Sequence, residues 1–124
     1  MSKSKEIRII VAGGRDFDDY DLLSSVLTDY IASKKVVIIS GTARGADALG
    51  ERFAADNGLE IRLFPADWNK YGKSAGIIRN CEMANYAGQD TGILFAFWDG
   101  KSRGTKHMIT VAKKRGLEVH VVKY

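Results

Sequence analysis

Five basic residues, Arg15, Arg44, Lys70, Lys73 and Arg103, stand in short segments that also hold glycine. The segments are Gly13-Gly14-Arg15-Asp16-Phe17, Ser40-Gly41-Thr42-Ala43-Arg44-Gly45-Ala46-Asp47, the stretch from Pro65 to Ser74, and Trp98-Asp99-Gly100-Lys101-Ser102-Arg103-Gly104-Thr105. Glycine bares backbone N–H groups, and a guanidinium or ammonium beside bare N–H groups is the chemistry of an anion site, above all one for phosphate. Any one of these cations taken alone could be an ordinary solvated loop charge. A cation in every segment points to one shared site.

Other chemistries fit less well. The glycines supply neither the three-glycine dinucleotide fingerprint nor the acidic residue that should close the second strand, so NAD bound in the usual way is not expected. Gly72-Lys73-Ser74 and Gly100-Lys101-Ser102 lack the earlier glycine of a phosphate-binding P-loop, since Asp67 and Phe95 stand in its place. Asp16, Asp18, Asp19 and Asp21 break the spacing of a calcium loop at Tyr20, and Asp18 or Asp19 is better read as a helix N-cap. His107, His120 and Cys81 have no metal-ligand spacing, so no metal and no cofactor are expected. Trp68, Tyr71 and Trp98 lie beside the cations and could equally stack on a base or cap the edge of the core.

The elements that must position these loops follow from periodicity. Runs rich in β-branched residues at Ile7 to Ala12, Val36 to Ile39, Ile61 to Phe64, Ile93 to Phe97 and Leu117 to Val122 read as five buried strands. Between them, Leu22, Leu23, Val26, Leu27, Tyr30 and Ile31 recur at helical spacing, as do Ala46, Leu49, Gly50, Phe53 and Ala54. Ile77, Cys81, Ala84 and Ala87 form a third stripe and Thr105, Met108, Ile109 and Ala112 a fourth, with Gly58, Gly88 and Gly116 at the expected C-caps. Strict alternation of this kind predicts an α/β fold: a Rossmann-like three-layer αβα sandwich around a five-stranded parallel sheet, order 3-2-1-4-5. In such a sheet every loop that follows a strand emerges at the carboxyl edge, and a ligand binds where strand order reverses. Pro65 to Ser74 is the longest stretch expected to be irregular.

Composition sets the frame. The 124 residues are expected to form one domain over their whole length. With 45% hydrophobic and 27% charged residues, and no apolar run long enough for a membrane span, the chain reads as soluble and not membrane-bound. The lone cysteine and the lack of a secretory signal suit the cytoplasm. A net charge of +4 is small, and part of it falls on Lys3 and Lys5 in what reads as a frayed tail.

Taken together with Ala66-Asp67-Trp68, Tyr71-Gly72-Lys73-Ser74-Ala75-Gly76 and Arg79-Asn80-Cys81-Glu82-Met83, the loop motifs resemble the YspA-like branch of the SLOG superfamily. That superfamily also holds the LOG phosphoribohydrolases and the DNA-processing protein DprA (Smf). The resemblance covers nearly all of the chain after its first five residues. It implies a Rossmann-like nucleotide-binding domain that senses or processes nucleotide derivatives, and self-association into a homo-oligomer, as is common among relatives. It also implies a pocket lined by Gly14, Arg15, Ser40, Gly41, Arg44, Gly45, Asp47, Arg79, Asn80, Glu82, Gly104 and Thr105, beside which Gly13, Asp67, Trp68, Tyr71, Lys73 and Arg103 complete the binding loops.

One position departs from the pattern. LOG enzymes carry a catalytic glutamate in Gly-Thr-x-x-Glu, whereas Gly104-Thr105-Lys106-His107 is followed here by Met108. Three functions are therefore open. The first is a binder of a phosphate-bearing, nucleotide-derived small molecule. The second is a hydrolase of an N-glycosidic bond, with Glu82 or Asp47 as the acid or base. The third, suggested by the likeness to DprA motifs, is a binder of single-stranded nucleic acid, against which the modest charge argues.

Overall fold

A computed structural model describes residues 6–31 and 35–124, so the expectation for Lys3 and Lys5 falls outside the described residues. Five strands, β1 (Ile7–Gly13), β2 (Val36–Ser40), β3 (Glu60–Leu63), β4 (Thr91–Trp98) and β5 (Glu118–Lys123), form one sheet in the order β3-β2-β1-β4-β5, every pair parallel. This is the expected α/β architecture. The helices are α1 (Tyr20–Ile31), α2 (Ala46–Asp56), the short α3 (Trp68–Tyr71), α4 (Ala75–Ala87) and α5 (Arg103–Lys114).

Because side chains alternate across a strand, β1 feeds two cores at once. Ile9 and Val11 pack with Leu23 and Leu27 of α1 and Phe53 of α2, while Ile10 and Ala12 pack with Met83 and Ala84 of α4 and Met108 of α5. Helices thus cover both faces of the sheet. Asp19 accepts a hydrogen bond from the Leu22 N–H at 3.0 Å, which settles the choice between Asp18 and Asp19 as the cap that opens α1. Gly88 caps α4, and Gly58 and Gly116 follow the caps Asn57 and Arg115 of α2 and α5.

Two expectations need correction. The strands are not all buried: β1, β2 and β4 are over their central residues, but β3 and β5 lie at the sheet edges and hold only exposed and half-buried residues. Nor is the stretch after Pro65 irregular throughout, because Asp67 accepts the Lys70 N–H and opens α3, which runs into a 3-10 turn at Gly72–Ser74. That turn leads directly into α4 and sets the position of its first residues at the carboxyl edge.

Candidate functional site

The carboxyl edge is built by close backbone approach. Gly13 ends β1 against β4, where a Cβ would lie 2.3 Å from the Phe97 carbonyl oxygen. Gly45, with φ at +74°, lets the second loop reach the first, and a Cβ there would lie 2.1 Å from the Gly14 carbonyl oxygen. That same carbonyl accepts the Ala46 N–H at the start of α2. Thr42 holds φ at +65°, an uncommon conformation for a β-branched residue. Ser40 supports it from below: its hydroxyl accepts the Thr42 N–H at 3.0 Å and donates to Glu51 at 2.6 Å.

Two adjoining cavities open at this edge. The inner one, about 340 Å³, lies where strand order reverses between β1 and β4 and is walled by Arg15, Lys73, Arg79 and Arg103. Its apolar side is made by Ala12, Ile77, Met83 and Met108. The outer one, about 410 Å³, lies between the first two loops and takes Arg15, Arg44 and Arg79 with Gly41, Thr42 and Ala43. Arg15, Ala43, Trp68 and Arg79 border both, so the two form one cleft.

Arg79 is the hinge of the arrangement. Its guanidinium donates to the Gly41 carbonyl at 2.5 Å and to Asn80 Oδ1 at 3.0 Å, which ties α4 to the second loop. Burial lowers its pKa, the nearby Arg15 adds to that effect, and Asp47 opposes it. Asp47 lies on the wall of the inner cavity and accepts the Ala43 N–H at 3.1 Å. Burial pushes its carboxyl up to about 6, with Glu51 one turn along the helix adding to the rise, against the pull of the Ala43 N–H and of Arg79. Asp99, by contrast, is held below the usual carboxylate range by the N–H groups of Ser102 and Lys101.

The structure brings together most of the residues singled out from the sequence. Gly13, Arg15, Asp47, Trp68, Lys73, Arg79, Asn80, Arg103, Gly104 and Thr105 border the inner cavity, and Gly41 and Arg44 border the outer. Ser40 and Gly14 are buried behind the wall, and Gly45 stands at the loop contact. Asp67 caps α3, Tyr71 and Lys70 pair with each other above α4, and Glu82 is exposed on α4; none of these four borders either cavity. Trp98 caps the core edge, its indole N–H donating to the Ser102 carbonyl at 3.0 Å.

Sequence reasoning missed Met83, Ser102, His107 and Met108 as wall residues. His107 and Met108 could have been found, since they fall three and four residues after Gly104 and so share its helix face. Among the described residues no group of His, Cys, Asp and Glu is arranged to hold a metal ion, and no helix is long and apolar enough to cross a membrane.

A parallel sheet sandwiched by helices, with a cation-walled cleft at its switch point, defines a Rossmann-like α/β fold with a candidate ligand cleft. The sequence pattern of the YspA, cpYpsA-related SLOG family matches residues 7–71, just over half the chain. The gene 61 protein of Mycobacterium phage D29 is 35% identical over 119 residues, spanning 90% of this chain and 93% of its own length. The chain belongs to the YspA, cpYpsA-related SLOG family, membership of which suggests nucleotide-related binding or processing.

Proposed function

We propose that the cleft binds a phosphate-bearing nucleotide derivative, phosphate toward Arg15, Arg44 and Arg79 and base toward the methionine-lined inner cavity. One observation carries this reading. The hydrogen bonds of the edge carboxylates go to groups other than these cations: Asp16 accepts the Tyr124 hydroxyl, Asp47 the Ala43 N–H, Asp67 the Lys70 N–H, and Asp99 the N–H groups of Lys101 and Ser102. Among the described residues, none of the ion pairs involves Arg15, Arg44, Lys73, Arg79 or Arg103. A cluster of like charges with Asp47, which acts on Arg79, as the one carboxylate bordering it among the described residues is suited to an incoming anion. Trp68, 54% exposed at the border of both cavities, supplies a face for the base.

The test is mass spectrometry of ligand carried through purification, followed by calorimetry with mononucleotides and an ADP-ribose-like compound. Arg15→Ala and Arg44→Ala should each weaken binding by about 1.5 to 3 kcal/mol, the usual size for a hydrogen bond to a charged group. Unchanged affinity in both overturns the site. A cytoplasmic, self-associating, single-domain protein is the setting we propose for it.

The placement of Asp47 favours a second reading, hydrolysis of an N-glycosidic bond, because a buried carboxyl that ionises near pH 6 suits acid–base work. The expected result is no release of free base from nucleoside monophosphates. Multiple turnovers by chromatography, lost in a folded Asp47→Asn variant, would replace the binder by an enzyme.

A further inference from the structure

We infer that His107 is the hydrogen-bond donor that reads the base, and that Asn80 is a positioning residue which holds it in the required tautomer; this rests on the nucleotide reading of the cleft. The logic starts at Arg79, because a guanidinium can only donate. Its Nε lies 3.0 Å from Asn80 Oδ1, so the amide must turn its NH₂ group the other way. There the NH₂ reaches the Gly104 carbonyl at 3.5 Å and His107 Nδ1 at 3.1 Å. The Gly104 carbonyl can only accept, so both sides of the amide demand the same orientation. An NH₂ group facing Nδ1 makes that nitrogen an acceptor and places the hydrogen of the neutral ring on Nε2.

Asn80 is buried, and its oxygen and nitrogen are both engaged by the protein. His107 is different. It is half-buried on the wall of the inner cavity, and among the described residues Nε2 has no hydrogen-bond partner there. It stands one turn along α5 from Arg103 and Gly104, beside Met108, and takes no part in the outer cavity where Arg15, Arg44 and Arg79 meet. Unlike Arg15, Lys73, Arg79 and Arg103 on the same wall, the neutral ring of His107 adjoins the apolar side made by Met108, Met83, Ala12 and Ile77, so the partner it suits is a neutral ring nitrogen or carbonyl on the base edge.

Two measurements test this. The chain has two histidines, so ¹⁵N spectra at pH 8 can resolve both rings, and His107 should be the Nε2–H tautomer in the wild-type protein. Asn80→Asp, which presents an acceptor in place of the NH₂, should move the hydrogen to Nδ1; a wild-type ring already protonated on Nδ1, or no change in the variant, overturns the positioning role. Calorimetry with AMP and with ribose 5-phosphate then separates base from phosphate. His107→Leu should weaken AMP about five- to tenfold, the size of one neutral hydrogen bond, and change ribose 5-phosphate less than twofold, and His107→Gln should restore part of the AMP loss. Equal losses for the two ligands, or none, overturn the base-reading role. If the wild-type protein binds neither compound nor any other mononucleotide, the nucleotide reading itself falls and this role falls with it.

Discussion

Replacing Asp47 by Asn should change how stability depends on pH, and the sign follows from burial. The carboxyl ionises near pH 6 in the fold against an ordinary value of 3.8. A raised carboxyl favours its neutral form when folded, so the stability it contributes is complete below about pH 3.8 and lost as pH rises through 6. Above that window the folded state carries an ionised buried group at a cost of about 3 kcal/mol, from roughly 1.4 kcal/mol for each pH unit separating the two values. Only 6% of Asp47 is exposed, so solvent screening reduces this little. Asn keeps an oxygen for the Ala43 N–H and cannot ionise. Urea denaturation of both proteins at pH 4 and pH 7.5 measures the difference directly. The stability of the variant relative to wild type should rise by about 2.4 kcal/mol between those values, because about 0.5 kcal/mol of the effect is already lost at pH 4, and this is a relative shift of midpoint of about 0.8 to 2.4 M urea at the usual slopes. A gap that stays constant, or that moves against the variant as pH rises, would show that Arg79 and the loop N–H groups cancel or outweigh burial, and the reasoning would fail.

The same carboxyl links binding to protons. A phosphate-bearing ligand adds negative charge beside Asp47 and favours its neutral form further, so calorimetry of a phosphodiester or pyrophosphate ligand, which does not itself titrate near pH 6, in buffers of different ionisation enthalpy should show proton uptake near pH 6 to 7 and weaker binding above it, both absent in Asp47→Asn. Gly45→Ala should destabilise the fold by at least about 2 kcal/mol in thermal or urea unfolding, since a positive φ and contact with the Gly14 carbonyl oppose the new methyl together. A labelled single-stranded oligonucleotide should bind weakly by fluorescence anisotropy and with a shallow salt slope. Micromolar or tighter binding at physiological salt, with about 0.7 log units lost per phosphate for each tenfold rise in salt, would favour the strand-binding alternative.

The sheet was legible because its central strands carry unbroken apolar runs, as burial on both faces requires. Its edges were less so. Glu60-Ile61-Arg62-Leu63 alternates polar and apolar residues, and in the edge strand only Ile61 is half-buried while Leu63 is exposed, so the apolar residues of Ile61 to Phe64 gave no sign of how wet the strand is. A four-residue helix such as α3 has one turn, too short for any period to appear, and its only sign was the N-cap Asp67. For the site, loop membership placed the cations at one edge but could not say which of them turn inward. Lys70 and Lys73 come from the same loop, and Lys73 alone of the two borders the cleft, because Lys70 lies over the Tyr71 ring. Likewise Glu82 and Met83 are neighbours on α4, and the roughly 100° between successive helical residues turns the methionine into the cavity and the carboxylate to solvent.

That rotation narrows the choice between binder and hydrolase to one side chain. Cleaving an N-glycosidic bond needs an acid or base within hydrogen-bond reach of the leaving nitrogen or of the attacking water. Where LOG enzymes place that glutamate, Met108 presents a buried thioether that can do neither. Glu82 lies outside both cavities, and among the described residues Asp47 is the one carboxylate that borders them. Yet Asp47 also anchors the loop through the Ala43 N–H and sits close enough to Arg79 to oppose that residue's loss of charge. A carboxyl that must hold the phosphate loop in shape is poorly placed to pass a proton and recover it in each turnover, because every change of its charge alters the support of the loop that grips the ligand. On the proposed nucleotide reading, the placement of Asp47 therefore suits retention of the ligand better than its cleavage, and the buffer-dependent calorimetry above tests whether its protonation bears on affinity.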